Sequence, residues 1–149
     1  MKIVKMTEED LREVSYLERE CFSNPWSYDS FHSELMKDDS FLFVAKEEKQ
    51  IIGYIVINII VDEGYILNVA VSKEHRKNGI ASELIEDALF LAKQKNLRFL
   101  SLEVRSSNIP AKKLYEKFGF AEVTVRKDYY SSPKEDAILY TKYFEEELC

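Results

Sequence analysis

The sequence predicts a mixed α/β fold in which one β-sheet carries helices on both faces. Segments with strand and helix periodicity follow one another in the order β-α-α-β-β-β-α-β-α-β-β. Antiparallel hairpins surround a central β-α-β-α unit, which favours a mixed, mostly antiparallel sheet of seven strands. No linker-like stretch divides the 149 residues, so we expect a single domain over residues 1–149 whose last few residues form a short acidic tail.

Two helices are predicted in the N-terminal half. Thr7 is a suitable N-cap for the first, because the acidic residues that follow it favour the positive end of the helix dipole. Leu11, Val14 and Leu17 recur at helical spacing, so this helix should extend to about residue 22. The segment "SNPWS" ends it, and Ser27 can cap a second helix over residues 28–37. The predicted strands in this half are residues 2–5, 41–45 and 51–61.

The C-terminal half alternates strands with two further helices. A helix over residues 78–95 has an apolar stripe formed by Leu84, Ile85, Ala88, Leu91 and Ala92. The last helix begins near Pro110 and ends near Gly119. The predicted strands are residues 65–71, 99–104, 122–127 and 137–144, with a polar loop, "DYYSSPKED", between the last two.

The composition narrows the classes of partner and compartment. The formal net charge of −6 argues against a nucleic-acid backbone as the main partner and suits a basic protein or an amine substrate. The longest apolar run, "IIGYIVINIIV", is far shorter than the roughly 20 residues that a membrane helix needs, and its β-branched residues predict a strand. No signal peptide precedes the first strand, so we expect a cytoplasmic protein that contacts no membrane.

Residue types that bind metals are sparse. The cysteines are Cys21 and Cys149, and the histidines are His32 and His75. None of them has the spacing of a metal site or of a disulfide framework, so we expect no metal and a reducing compartment. Neither cysteine stands out as a covalent nucleophile, because Cys21 falls in a predicted helix and Cys149 is the last residue.

A basic turn, "RKNGIAS", joins the strand that ends at Val71 to the long helix. The first amides of a helix have no intrahelical partners and lie at the positive end of its dipole, so a phosphate can bind there. Gly79 lets the main chain approach such a ligand, and Arg76 and Lys77 add positive charge. An ordinary charged turn with Gly79 as its breaker would produce the same pattern. The sequence has neither G-x-G-x-x-G nor G-x-x-x-x-G-K-[ST].

The segment "R-K-N-G-I-A" resembles the R-x-x-G-x-G/A signature of the GNAT N-acetyltransferases. The stretches "CFSNPWSYDSF", "ILNVAVSKEHRKNGIASELI", "LEVRSSNIPAKKLYEKFGF" and "RKDYYSSPKEDAILY" are similar to the RimI-type branch of that family. Many members have glycine where this chain has Ala81. The resemblance covers nearly the whole chain. It implies a splayed pair of central strands and transfer of acetyl from acetyl-CoA to a protein N-terminus, in that branch the N-terminal alanine of a small-subunit ribosomal protein.

The same resemblance implies a set of cofactor-binding residues. The pantetheine arm of acetyl-CoA would hydrogen-bond to the main chain of Val69, Ala70 and Val71 as an added strand. Asn108 would hydrogen-bond the same arm, although its position also suits the N-cap of the last helix. The pyrophosphate would lie on the basic turn, which consists of Arg76, Lys77, Asn78, Gly79, Ile80, Ala81 and Ser82.

Glu103 is the candidate general base. Strand alternation places it on the face opposite to its neighbours Leu102 and Val104, where it could equally be a solvated surface residue. The glutamate of "LEVR" is the proton acceptor in the branch that this chain resembles. Because a free glutamate has a pKa of about 4.3, we expect burial to raise the pKa of Glu103 or a water to relay the proton.

Tyr115 is the candidate general acid. Its spacing from Leu114 and Phe118 would also fit plain helix packing. In the family, the tyrosine of "LYEKxGF" protonates or stabilises the leaving thiolate. Trp26, Tyr129 and Tyr130 resemble positions that line the peptide groove, and loop packing is the alternative for all three.

Direct attack in a ternary complex is the mechanism we expect. An N-terminal amine has a pKa of about 8, so far more of it is neutral at pH 7 than of a lysine amine. A modest base such as glutamate therefore suits an N-terminal amine. The alternatives are a small-molecule amine acetyltransferase and a non-catalytic acetyl-CoA-binding module. We expect a monomer or a weak homodimer that does not bind nucleic acid.

Overall fold

The computed structural model describes residues 1–144 and contains a seven-stranded sheet in the order β1-β2-β3-β4-β5-β7-β6. The predicted acidic tail and Cys149 lie outside the described residues. Neighbouring strands are antiparallel except β4 and β5, which are parallel. The strands are β1 Lys2–Lys5, β2 Ser40–Glu47, β3 Gln50–Ile60, β4 Glu63–Val71, β5 Phe99–Arg105, β6 Ala121–Ser131 and β7 Lys134–Tyr143. The helices are α1 Leu11–Cys21, α2 Tyr28–Leu35, α3 Ile80–Gln94 and α4 Ile109–Lys117.

Helices cover both faces of the sheet, as predicted. On one face, α1 and α2 pack a core that includes Leu11, Val14 and Phe31 against β2 and β3. On the other face, Leu84 and Ile85 of α3 belong to a second core with β3, β4, β5 and α4. The predicted mixed fold is therefore confirmed. Among residues 1–144, no helix combines the length and apolar character needed to span a membrane.

The prediction of a polar loop between the last two strands is wrong. Strand β6 continues to Ser131 and β7 begins at Lys134, so Tyr129 and Tyr130 lie on a strand of a tight hairpin. The register shifts between Arg126 and Tyr130, and such an irregularity re-aims side chains along a strand. The strand predicted over residues 122–127 is present, but its continuation to Ser131 was missed because polar residues occupy an edge strand that is exposed along nearly its whole length.

The other differences lie at helix ends. Helix α3 begins at Ile80 rather than at residue 78, because Gly79 has a left-handed conformation with φ of 78° that cannot continue a helix. Residues Glu8–Asp10, predicted as the first turn of α1, form a 3₁₀ turn instead.

Strands β4 and β5 separate along their length. They pair only at Glu63–Phe99, Gly64–Leu100 and Tyr65–Ser101. A register shift against β3 places an extra residue, Leu67, in β4 just beyond the last of these pairs. A bulge of this kind bends its strand, and the two strands open from there toward their C-terminal ends. The predicted splayed central pair is confirmed, and the opening defines the place of the candidate site.

Candidate active site

The wall of the opening formed by β4 has an edge that pairs with no strand. Val69, Ala70 and Val71 pair with β3 on one side, and β5 makes no ladder pair with them on the other. An extended chain of amides can add to such an edge as an extra strand. The three residues are therefore placed where an elongated ligand arm would bind through main-chain groups.

The turn before α3 leaves the first amides of the helix without a side-chain acceptor. No side chain caps the helix, so the first amides, those of Ile80, Ala81 and Ser82, lack the acceptor that an N-cap side chain would supply. A Cβ built on Gly79 would meet no atom within 4 Å, so the space over this turn is open. Lys77 is also left-handed, with φ of 69°. The turn thus fits an anion such as a phosphate.

Arg76 is committed to neighbours within the chain. Its Nε donates to the main-chain oxygen of Val71 at 3.3 Å, and its Nη2 lies 3.8 Å from Sγ of Cys21. The side chain therefore ties the basic turn to the end of β4 and contributes charge from the side of the turn. Burial raises the pKa of the Cys21 thiol, so the nearby guanidinium does not make it a thiolate nucleophile at neutral pH.

Glu103 lies on β5 at the other wall of the opening. Leu102 and Val104 on either side of it are buried on the opposite face of the sheet. Its Oε1 lies 3.1 Å from Nε of Arg126, and its side chain is 25% exposed. The carboxylate is thus neither isolated nor deeply buried. Solvent access leaves room for the expected water relay.

The Glu103 carboxylate affects the pKa of both tyrosines of β6, Tyr129 and Tyr130. A hydrogen bond to the Glu103 carboxylate raises the pKa of Tyr129. Burial raises the pKa of Tyr130 to about 12, and the negative charge of Glu103 adds to the effect. The Tyr130 ring also receives the guanidinium of Arg105, whose Cζ lies 4.2 Å from the ring centroid.

Tyr115 lies on α4 and is buried, at 6% exposure. Its ring contacts those of Phe120 and Tyr140, at centroid distances of 5.9 and 6.4 Å. Burial raises the pKa of Tyr115, and the negative form of Tyr130 would raise it further. Tyr130 therefore interacts electrostatically with both the candidate base, Glu103, and the candidate acid, Tyr115.

Asn108 and Trp26, two further predicted site residues, make contacts within the chain. Asn108 is the N-cap of α4, since its Oδ1 accepts from the Ala111 amide at 3.2 Å. Trp26 is half-buried and packs on Phe31, with ring centroids 5.1 Å apart. The alternatives that the sequence offered for these residues, an N-cap for Asn108 and packing for Trp26, are therefore both present. Neither contact prevents a ligand from binding.

Sequence reasoning missed a buried carboxylate behind Trp26. Glu18 of α1 is 2% exposed and accepts from the Tyr54 hydroxyl, from Nδ2 of Asn68 at 2.8 Å and from the Trp26 amide at 2.9 Å. It joins α1, β3, β4 and the segment after α1. A signal existed, because Glu18 occupies the i+7 position of the stripe that begins at Leu11.

Comparison with known proteins agrees with this geometry. Residues 11–120 match the model of the acetyltransferase (GNAT) family. The chain belongs to that family. A Bacillus subtilis (strain 168) protein, provisionally named a ribosomal protein bS18-alanine N-acetyltransferase, is 39% identical over 132 residues that cover 88% of this chain and 87% of its own.

Two solved structures of the GNAT fold bear on the site. The ribosomal-protein-S18-alanine N-acetyltransferase from Escherichia coli superposes with a TM-score of 0.91 at 27% identity, over 98% of this chain and 95% of that one. A chain of the NatC complex bound to Gag peptide and CoA matches with a TM-score of 0.82 at 25% identity, over 97% of this chain and 100% of that one. The latter structure holds both a peptide and CoA.

Proposed function

We propose that this GNAT acetyltransferase moves an acetyl group from acetyl-CoA to the α-amine of a protein N-terminus, with the N-terminal alanine of ribosomal protein bS18 as the expected target. The names of the relatives from Bacillus subtilis and Escherichia coli support this target. The observation that carries the proposal is the opening between β4 and β5, where Glu103 lies on β5 beyond the last pair with β4, and Val69, Ala70 and Val71 pair with no strand on that side. This arrangement offers a proton acceptor beside a strand edge that an extended ligand could join.

The bound cofactor would supply an acetyl thioester, and residues on three elements would hold it. Main-chain groups of Val69, Ala70 and Val71 fit its extended arm. The unpartnered amides of Ile80, Ala81 and Ser82 fit its pyrophosphate, with Lys77 and Arg76 adding positive charge. Asn108 has a side-chain amide nitrogen that its capping bond through Oδ1 leaves available as a donor.

Glu103 would accept the proton of the incoming amine, directly or through a water. An N-terminal amine has a pKa of about 8, so about a tenth of it is neutral at pH 7. The base would therefore only have to remove the proton that the neutral amine releases when it attacks the thioester. Arg126 would hold the carboxylate in place through the contact at 3.1 Å. Arg126 is therefore a positioning residue in this scheme.

Tyr115 would donate its proton, or a hydrogen bond, to the leaving sulfur. Its raised pKa keeps the hydroxyl protonated through neutral and moderately alkaline pH. A buried donor aimed at developing charge stabilises the transition state more than the ground state, so its effect belongs in turnover.

Trp26, Tyr129 and Tyr130 would line the groove for the peptide. Tyr129 is 53% exposed, whereas Tyr130 and Trp26 are half-buried, so aromatic surface is available beside Glu103. Contacts with residues after the first would orient the amine and make a peptide a better substrate than a free amine.

Intact-mass measurement after incubation with acetyl-CoA tests the proposal. We expect a six-residue peptide that begins with alanine to gain one acetyl group, and the same peptide with a blocked α-amine and a downstream lysine to gain none. Equal rates with the peptide and with free alanine amide would instead favour the small-molecule acetyltransferase. Binding of acetyl-CoA without transfer to any amine would favour the non-catalytic module.

A further inference from the structure

The turn between β5 and α4 is held by a carboxylate on β7. Oε2 of Glu135 accepts from the Ser107 amide at 2.6 Å and from the Ser106 hydroxyl at 3.1 Å. The main-chain oxygen of Asp136 also accepts from the Ser106 amide at 3.1 Å. These bonds set the start of α4, the helix that carries Asn108 and Tyr115. Glu135 therefore supports the side of the site assigned above to the cofactor.

Arg105 extends the same contacts to the hairpin of β6 and β7. Its Nη1 donates to Glu135 Oε1 at 3.2 Å and to the main-chain oxygen of Pro133 at 2.9 Å, and its Nη2 donates to the oxygen of Ser132 at 3.2 Å. Its guanidinium also lies over Tyr130. One planar, multiply donating group thus holds both the hairpin turn and an aromatic residue of the proposed peptide groove.

The hairpin turn in turn contacts the segment between α1 and α2. The Ser23 hydroxyl donates to the main-chain oxygen of Ser132, and Nδ2 of Asn24 lies 3.2 Å from the Ser131 hydroxyl. Trp26 belongs to the same segment. Contacts therefore run without a break from the turn before α4, through Glu135 and Arg105, to both margins of the proposed groove.

Both members of the pair are charged and partly shielded. Hydrogen bonds from Ser107, Arg105 and Ser106 lower the pKa of Glu135 to about 2, so the carboxylate is ionised at any pH used for assay. The side chains of Arg105 and Glu135 are 24% and 15% exposed. Hydrogen bonds between charged groups are stronger than neutral ones, so loss of either charge would loosen both the turn and the hairpin.

We propose that Arg105 and Glu135 form a positioning pair that couples the two substrate sites, so that occupation of the cofactor site orders the peptide groove. The proposal rests on the proposed function, which assigns the two sides of the opening to those substrates. Neither residue needs to touch a reacting atom. Because coupling between two sites is reciprocal, peptide should tighten CoA binding by the same factor.

Calorimetry with CoA and a six-residue peptide that begins with alanine tests the pair. In the wild type we expect saturating CoA to tighten peptide binding at least about fivefold. In Glu135→Gln, which keeps the shape and loses the charge, the factor should fall below about twofold. Arg105→Lys keeps the charge but loses the multiple donation, and should have the same effect. The readout is the ratio of affinities, which a general loss of stability would leave unchanged.

A matched control uses an ion pair of the same hairpin. Nζ of Lys134 lies 3.7 Å from Oδ2 of Asp128, and both side chains are well exposed. Lys134→Gln therefore removes a charge from the hairpin at a side chain that makes no contact with the turn before α4. It should keep the wild-type coupling factor. If neither Glu135→Gln nor Arg105→Lys folds, Ser106→Ala removes a single donor to Glu135 and should still lower the factor.

Three outcomes would overturn the proposed pair. The coupling factor could stay at the wild-type value in the folded variants of Arg105 and Glu135, or it could fall by the same amount in Lys134→Gln. The third outcome is a wild type that turns over normally but shows no coupling between CoA and peptide. Failure of the wild type to bind CoA or to acetylate peptide would overturn the proposed function and this inference with it. Normal turnover with unchanged coupling in Glu135→Gln would overturn the inference alone.

Discussion

The guanidinium Nε of Arg126 lies 3.1 Å from the carboxylate of Glu103. The candidate base is therefore held by a cation on β6 rather than enclosed in an apolar pocket. This contact separates two functions that can be tested one at a time, since Glu103 would move a proton and Arg126 would only position the group that does so.

Replacement of Glu103 should abolish most turnover. Glu103→Gln keeps the shape and removes proton acceptance, so we expect kcat to fall by about 10²–10⁴ while the Kd for acetyl-CoA stays nearly the same. Arg126→Gln is the matched control, because it removes the ion pair and keeps the carboxylate; its loss should stay below about tenfold. Steady-state kinetics and calorimetry measure both. Near-normal turnover of Glu103→Gln at pH 7 would leave Glu103 as a surface residue.

Removal of the Tyr115 hydroxyl should affect the chemical step. Tyr115→Phe is expected to lower kcat with little change in the Kd of either substrate, because charge on the sulfur develops only near the transition state. Burial raises the pKa of Tyr115, so the proton is retained as pH rises. The ordinary pKa of a tyrosine is about 10, and that of Tyr115 lies above it. We therefore expect the wild-type kcat not to fall between about pH 8 and 10. An alkaline loss that disappears in Tyr115→Phe would contradict this assignment.

The turn before α3 can be tested without unfolding the helix. Gly79 has φ of 78°, a conformation that asparagine tolerates and valine does not. Gly79→Asn should keep the fold and place a side chain where a pyrophosphate would lie, weakening acetyl-CoA at least tenfold, or about 1.4 kcal/mol. Gly79→Val should weaken binding at least as much and also destabilise the protein. If acetyl-CoA bound Gly79→Asn with wild-type affinity, the turn would not be its site.

Loss of an aromatic residue of the peptide groove should change the KM for peptide and leave the Kd for acetyl-CoA unchanged. Tyr129→Ala removes an exposed ring beside Glu103, so we expect KM for a six-residue peptide to rise several-fold, by about 1 kcal/mol, while the acetyl-CoA Kd is unchanged. Tyr143→Ala removes an exposed ring at the far end of β7 and serves as the control. Equal effects of the two substitutions on KM would remove Tyr129 from the groove.

The buried carboxylate of Glu18 predicts a stability effect. Tyr54→Phe deletes the hydroxyl that donates to Glu18, and a hydrogen bond to a charged group contributes about 1.5–3 kcal/mol. The free energy of unfolding in urea should fall by that amount. Tyr16→Phe, at a position that is 56% exposed, should change it by less than about 0.5 kcal/mol. An equal change in both variants would mean that the Glu18 bond adds nothing to stability.

Much of the fold was predictable from local signals. The order of strands and helices, the end of α1 at "SNPWS" and the apolar stripe of α3 depend on periodicity, capping and turn residues that lie close together in the chain. The basic turn before α3 was predictable for the same reason, since the end of β4, Gly79 and the start of α3 lie within ten residues of one another. Glu103 and Tyr115 could be named from short motifs, whereas their roles stay predictions.

Tertiary structure decided what depends on distant residues. The opening between β4 and β5 requires a bulge at Leu67 and pairing that stops after Tyr65, neither of which a period of two reveals. The hairpin that carries Tyr129 and Tyr130 was hidden because an exposed edge strand lacks the alternation that burial imposes. The contact of Ser23 with Ser132 joins residues 109 positions apart. Local sequence determines which elements form; only the packed sheet decides which side chains meet, because register and burial depend on all the strands at once.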